Sequence, residues 1–523
     1  MSRILLRLIY CLSHRIGVQG RWYTRKQLSY CTVQVQSKGV LMPKISVIGG
    51  GPGGYAAAFE AAAHGAEVTL FEQRRLGGTC LNVGCIPTKT ILRSAHALRD
   101  LAHAGDFALT GLPDAAIVRV DLDALRERKE SVVDELVGQL EQEAKRLRVT
   151  VVEGQARLVS PNTVAVTDDK GSGTLSSHIY ESDAVIIATG SEPTVLPALS
   201  APFVWTSDDA LALTEIPYEI IIVGGGVIGV EFACAYAAFG STVHIVELMP
   251  ALLPGFDARV VRMLAAALQQ QGVQLHLGTS VEAARQEGSR VVAALSDGSE
   301  LAADVLMTAV GRAPRTAGFG FEELGLDYDR RALKVDEHLQ TNVPGIYAVG
   351  DAIGGMMLAH TAEAEGRAAA RNALAQLAGK APTATINYRA IPACVYTFPE
   401  VAAVGLHSAA AKEAGYTPVS GLVKYAGNGK ALAEGASEGY VELIADKQTG
   451  EILGCQILGA HAVELIAIAA EAITQQMTVA DFQRTVFAHP TVSELLHGAA
   501  ELAATKLDDK MESGTILSGA AQQ

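Results

Sequence analysis

Residues 45–72 and 220–247 are two copies of one pattern, aligning without a gap at a constant offset of 175. ISVIGGGPGGYAAAFEAAAHGAEVTLFE and IIIVGGGVIGVEFACAYAAFGSTVHIVE share the glycine run, Gly54/Gly229, Gly65/Gly240, Val68/Val243 and a final Glu72/Glu247. Each copy reads as a short buried strand, a glycine turn, an Ala-rich helix, a Gly stop and a second strand ending in an acid. That is the opening of a Rossmann unit. A chain that opens it twice is expected to be α/β, with two Rossmann-like dinucleotide-binding domains.

The glycine spacing specifies what each turn can hold. In Gly49-x-Gly51-x-x-Gly54 the first Gly makes the tight turn and the second lets the main chain approach a pyrophosphate. The third lets the helix pack close to the strand. Gly224, Gly226 and Gly229 repeat the set. The helix N-terminus then presents free N–H groups and a positive dipole end to phosphates. Glu72 and Glu247 each stand 23 residues after the first Gly of their copies, placed to accept hydrogen bonds from ribose hydroxyls. The charge of Glu247 would repel a 2′-phosphate, which predicts NAD over NADP at the second site. The first site is predicted to take FAD, completed by TNVPGIYAVGD (341–351), whose terminal Gly350-Asp351 suits a carboxylate meeting a flavin ribityl chain.

At 523 residues the chain has room for three or four domains. Its 49% hydrophobic and 19% charged residues, with 52 Gly, suit a folded protein rich in tight turns. A net charge of -14 argues against sequence-independent nucleic-acid binding. No membrane span is expected, because the best apolar run, Ile220 to Gly240, is broken by four earlier glycines and by Glu231.

Residues 1–41 hold seven Lys or Arg and no acid, whereas the other 35 basic residues face 56 acidic ones. Arg3, Arg7, Tyr10 and His14 share one helical face, while Leu5, Leu8, Ile9, Leu12 and Ile16 populate the other. That pattern reads as a mitochondrial transit peptide, implying the matrix. Equally, Met42-Pro43-Lys44 makes a natural start before the first strand, implying a cytoplasmic protein. Of the seven Cys, Cys11 and Cys31 fall in this leader, and Cys234, Cys394 and Cys455 are scattered in apolar surroundings. No secreted disulfide framework is present.

Cys80 and Cys85 are the one close pair, in Gly77-Gly78-Thr79-Cys80-Leu81-Asn82-Val83-Gly84-Cys85-Ile86-Pro87-Thr88-Lys89, followed by the helical pattern TILRSAHALRDLA. Residues five apart in a regular helix have Cα atoms about 8.7 Å apart. A disulfide wants no more than ~6.8 Å. A bridge therefore needs a locally unwound turn, which Gly84 permits. Such a constrained disulfide at a helix entrance reads as redox-active. Zinc lacks a second Cys/His pair at suitable spacing, and two buried thiols would leave the glycines unexplained. Dithiol chemistry also needs an acid/base. His489, in FAHPTVSELL, has Glu494 five residues on, able to turn back and orient the imidazole.

At these residues the chain resembles the pyridine-nucleotide disulfide oxidoreductase family. GGTCLNVGCIPTK is close to its redox signature, and the Leu-Asn-Val-Gly interior resembles its dihydrolipoamide branch. The extra C-terminal cysteines of mercuric reductases are absent, and Glu247 stands where glutathione reductases usually carry arginines. The resemblance runs from about 44 to about 507. It implies 1–42 as leader or mis-assigned start and 44–192 as the first part of the FAD-binding domain. After these it implies 193–315 for NAD, 316–387 for the return to the FAD/central domain, 388–507 for an α+β C-terminal dimerisation domain, and 508–523 as tail.

The resemblance also implies roles. Cys80 would exchange with the thiolate of a dihydrolipoyl group, and Cys85 would face the flavin. Lys89 would lie beside the flavin and pair with Glu231. His489, oriented by Glu494, would come from the partner subunit of a homodimer. FAD would be held by Gly49, Gly51, Gly54, Glu72, Gly78, Thr79, Lys89, Gly154, Ala188, Thr189, Gly190, Gly350, Asp351, Met357, Leu358, Ala359 and His360. NAD would meet Gly224, Gly226, Gly229, Glu231, Glu247, Val281 and Gly311. The expected activity is NAD-dependent oxidation of dihydrolipoyl groups carried by an acyltransferase core or lipoyl carrier protein. Alternatives are an NAD(P)H-driven reductase of a small disulfide, or a flavin-loaded docking protein with catalysis secondary. Thr361 and Phe398 depart from the family's usual Lys and His, leaving the interface consequences open.

Overall fold

The computed structural model describes residues 42–111, 118–167 and 178–508. Both readings of the leader concern residues 1–41, outside the described residues, as is the tail 509–523.

Strand Lys44–Ile48 is buried from its second residue on, as a central strand covered on both faces must be. It pairs in parallel with Glu67–Glu72 on one side and Ala184–Ile187 on the other. The full sheet runs 346–348, 184–187, 44–48, 67–72, 150–153. The second copy repeats this plan, with Glu219–Val223 between Thr242–Glu247 and Val305–Thr308. Its order is 204–205, 305–308, 219–223, 242–247, 274–277. Register is kept across the duplication: Lys44 faces Glu67, and Glu219 faces Thr242, the same positions 175 residues on.

Each parallel sheet is interrupted by a three-stranded antiparallel one, inserted at 155–160, 163–167 and 178–181 before strand 184–187 and again at 281–287, 290–295 and 300–303 before strand 305–308. The segments that cross between the two units, Ser191–Pro193 and Arg312–Pro314, pair antiparallel with each other. The C-terminal part is a five-stranded antiparallel sheet of order 393–395, 401–405, 452–458, 440–446, 418–424, with its own apolar core. The architecture is thus the expected α/β duplication with an α+β C-terminal part.

Six helices place the groups that matter below: α1 Pro52–Ala63, α2 Gly78–Val83, α3 Cys85–Ala102, α4 Val227–Ala238, α5 Ala359–Leu377 and α6 Glu494–Asp508. Helices α1 and α5 meet through small residues. A Cβ on Gly366 would lie 2.2 Å from the Gly53 carbonyl oxygen. Buried Ala57, Ala58, Ala61, Ala369, Ala370 and Ala373 share the same core. Among the described residues no helix is long and apolar enough to cross a membrane.

Thr361 and Phe398 lie inside the chain, each 3% exposed. The His96 ring packs edge-on against Phe398 at 3.9 Å, and the Arg99 guanidinium sits 4.8 Å from its centroid. The phenyl ring thus packs against an imidazole and a guanidinium carried three residues apart on α3.

Gly366→Ala should push α1 and α5 apart at a cost of about 1–3 kcal/mol of overpacking. Calorimetry should then show a lowered Tm for the apoprotein. An unchanged Tm would show that the helices approach less closely than Gly366 requires.

Candidate active site

Both glycine turns are built alike. Gly49 and Gly224 have φ of 105° and 114°, the left-handed backbone a tight turn needs. A Cβ on Gly54 would lie 1.8 Å from Gly49 O, and one on Gly229 would lie 2.0 Å from Gly224 O. The third glycine of each set therefore lets helix and turn touch. Gly51 and Gly226 cap α1 and α4 with no side-chain cap, so first-turn N–H groups remain available to another acceptor.

The acid that ends each copy has a second job that its spacing did not announce. Glu72 accepts the Gly50 and Arg74 N–H groups, each at 2.8 Å. Glu247 accepts those of Gly225 at 2.6 Å and Met249 at 2.7 Å. Each carboxylate pins its glycine turn and keeps free lone pairs toward the cavity. The two turns differ in the residues just beyond the acid. Gln73, Arg74 and Arg75 come after Glu72, whereas uncharged, exposed Leu248 and Met249 come after Glu247.

Between α2 and α3 the helix breaks at Gly84, where a Cβ would lie 2.8 Å from the Thr79 carbonyl oxygen. This break sets Cys80 and Cys85, both free thiols, close enough for each to shift the other's protonation. The hydrogen bond from Cys80 lowers the Cys85 thiol to about 7, aided by the Lys89 charge against the opposing effect of burial. Cys80 moves the other way, raised by its hydrogen bond to Cys85, by burial and by the Cys85 charge.

Lys89, one turn past Cys85, reaches Glu231 of α4 at 2.8 Å and 3.1 Å. Glu231 is 3% exposed and also accepts the Tyr396 N–H at 3.0 Å. The ammonium sits 4.3 Å from the Tyr396 ring centroid. The buried carboxylate is thus paired and hydrogen-bonded, as burial demands. This contact ties the redox helix, the second Rossmann helix and the strand entering the C-terminal sheet together.

A single cavity of 1510 Å³ spans both turns, the two cysteines, Lys89 and Glu231. Its wall includes nearly all the sequence-predicted cofactor residues, among them Gly78, Thr79, Ala188, Gly190, Val281, Gly311, Gly350 and Asp351, with Met357, Leu358, Ala359 and His360. Gly54 and Gly229 lie beneath it as packing glycines. Gly154 stands off the wall, donating its N–H to the Glu72 carbonyl at 2.9 Å. Thr189 on the wall has a buried Oγ1 without a partner among the described residues, so the site retains an unfilled polar contact of the kind a nucleotide would meet. Those features fit two dinucleotides.

His489 and Glu494 are not on this wall. His489 is 80% exposed, and its Nδ1 lies 2.9 Å from Glu494 Oε1. Glu494 also accepts the Thr491 N–H at 2.9 Å, and this bond, then the one to His489, holds its carboxyl below the usual range. An ionised Glu494 fixes the proton on Nδ1 and leaves Nε2 as the free base. Nothing in spacing announced Tyr396 under Lys89 or Ser191 between Arg312 and Asp351. Those contacts are made by residues far apart in sequence, with no local pattern to reveal them.

Residues 43–366 match the family model described as pyridine nucleotide-disulphide oxidoreductase, and residues 391–500 match that family's dimerisation domain. A dihydrolipoyl dehydrogenase of Bacillus subtilis is 40% identical over 462 residues, covering 87% of this chain and 97% of the relative. One from Trypanosoma brucei brucei is 39% identical, covering 87% and 95%. The crystal structure of LpdA from Mycobacterium tuberculosis superimposes with a TM-score of 0.81 at 27% identity, covering 88% of this chain and 99% of that one. The chain belongs to the pyridine nucleotide-disulphide oxidoreductase family, as a flavoprotein oxidoreductase that works with FAD and NAD.

Proposed function

We propose that this chain, as a homodimer, oxidises dihydrolipoyl groups to the cyclic disulfide and reduces NAD+ to NADH. The carriers would be lipoyl-bearing proteins of a 2-oxo acid dehydrogenase or glycine-cleavage assembly. The observation that carries the reading is the Cys80–Cys85 pair on the wall of one cavity that spans both nucleotide turns. The FAD site is assigned to the first turn with Asp351, and the NAD site to the second with Glu247.

The cycle starts from a Cys80–Cys85 disulfide. His489 of the partner subunit takes a proton from the substrate dithiol, and the resulting thiolate attacks the Cys80 sulfur. The Cys80–Cys85 bond breaks and Cys85 leaves as a thiolate, stabilised by Lys89. The second substrate thiol then attacks the substrate sulfur of the mixed disulfide, closing the lipoyl ring; its proton passes to the displaced Cys80 sulfur, which leaves as a thiol. FAD, when bound, supplies the two-electron relay from this dithiol to NAD+. Glu231 holds Lys89 in place, and Glu494 holds the imidazole with Nε2 facing the substrate.

Cys80→Ser should abolish dihydrolipoamide turnover yet leave FAD-bound protein that still passes electrons from NADH to a dye. Loss of FAD from this variant would contradict the role given to Cys80. Mixing Cys80→Ser with His489→Gln homodimers should restore about a quarter of wild-type turnover, since random pairing leaves one intact site in half the dimers. No recovery on subunit exchange would show that each chain supplies its own histidine. Glu247→Arg should raise the NADPH-to-NADH ratio of kcat/KM on the order of ten- to a hundredfold, each tenfold being about 1.4 kcal/mol. An unchanged ratio would refute the ribose assignment.

A further inference from the structure

Glu365 is a buried carboxylate of α5, 3% exposed and off the cavity wall. Its Oε2 accepts the Gly350 N–H at 2.7 Å, and its Oε1 accepts the Tyr388 hydroxyl at 2.8 Å. Gly350 has a φ of 66°, and a Cβ there would lie 3.1 Å from the Ala362 methyl, so the turn sits hard against α5. The next residue, Asp351, lines the cavity and accepts the Ser191 hydroxyl at 2.5 Å. Ser191 in turn accepts the Arg312 Nε–H at 2.8 Å. The turn is therefore held at Asp351 by the crossing segments between the two nucleotide units and at Gly350 by Glu365.

An apolar side chain would satisfy the packing of α5 without the penalty of burying a carboxyl group. Burial pushes the Glu365 carboxyl up, and the Gly350 N–H and Tyr388 hydroxyl draw it back down. Both oxygens are committed, one to the turn and one to the chain segment that precedes the dimerisation domain at 391. We propose that Glu365 and Tyr388 form a positioning pair for the Gly350–Asp351 turn, so that FAD affinity is set in part by the segment leading into the dimerisation domain. This rests on the assignment of Asp351 to the FAD site. A turn held in its binding geometry loses nothing to alternative conformers, and affinity falls by the fraction of time it spends elsewhere.

The test is the FAD dissociation constant of the reconstituted homodimer, read by flavin fluorescence, for Asp351→Ala, Tyr388→Phe, Glu365→Leu and Glu365→Gln. Asp351→Ala should weaken binding most. Tyr388→Phe removes one hydrogen bond and should weaken it about three- to tenfold. Glu365→Leu removes both and should weaken it further. Glu365→Gln should stay within about threefold, because the amide oxygen still accepts from Gly350 and the NH2 can donate to the Tyr388 oxygen. Rescue by Gln but not by similarly sized Leu separates positioning from packing.

If Asp351→Ala weakens binding while Tyr388→Phe and Glu365→Leu bind FAD as the wild type does, the positioning pair is refuted and the Asp351 assignment stands. If Asp351→Ala binds FAD unchanged, the assignment itself is wrong and the pair falls with it. Should Glu365→Leu fail to dimerise, Tyr388→Phe decides alone, since that tyrosine is 45% exposed and its loss leaves the core intact.

Discussion

A continuous helix holds two residues five apart too far from each other for a disulfide, and this chain brings Cys80 and Cys85 together by interrupting the helix at Gly84. Everything else in the site is arranged around that break. The glycine is required because a Cβ would collide with the Thr79 carbonyl oxygen 2.8 Å away. Once the sulfurs meet, the hydrogen bond between them and the nearby Lys89 make them unequal, lowering Cys85 and raising Cys80. That inequality gives direction to the chemistry, with one sulfur suited to leaving as thiolate and the other to exchange. Lys89 can serve there because Glu231 holds it from the neighbouring unit, and Tyr396 holds Glu231 from the C-terminal part.

The duplication explains why two nucleotides can face one cavity. Both copies use the same device: an acid at the end of the second strand accepts two backbone N–H groups and fixes the glycine turn before any ligand arrives. Preorganisation of this kind spares the ordering cost at binding. The copies diverge where their ligands must differ. Arginines follow Glu72, whereas apolar Leu248 and Met249 follow Glu247, so the second acid has no basic residue directly after it in sequence. The antiparallel pairing of 191–193 with 312–314 then joins the two units beside the cavity, and within that joint the Arg312 guanidinium donates to the Ser191 carbonyl.

Much of this was legible in the sequence, for a physical reason. The offset of 175 fixed both sheets because short apolar runs and glycine spacing are local signals; Gly49 and Gly224 occupy the turns, and Gly54 and Gly229 the helix positions packed on them, that their spacing demanded. The cysteine pair was legible through its incompatibility with a continuous helix. Contacts that close over long sequence distances were not. Glu365 reads as one more acid in an Ala-rich helix, yet it is buried against Gly350 and Tyr388. Tyr396 and Ser191 carry no motif of their own. Gly154 was placed among the cofactor residues by resemblance alone, and its N–H bond to the Glu72 carbonyl is a contact no motif announced. Phe398 and Thr361, read as interface departures, are core residues, a distinction that sequence pattern does not carry.

The central claim is that Cys85 becomes a thiolate against the flavin when the Cys80 pair is reduced by a dithiol. Anaerobic titration of the purified holoenzyme with dihydrolipoamide tests it most directly. One equivalent should bring up a long-wavelength thiolate-to-flavin absorbance, and Cys85→Ser should lack it. A titration that bleaches the flavin with no such band, or a band that survives Cys85→Ser, would contradict the account.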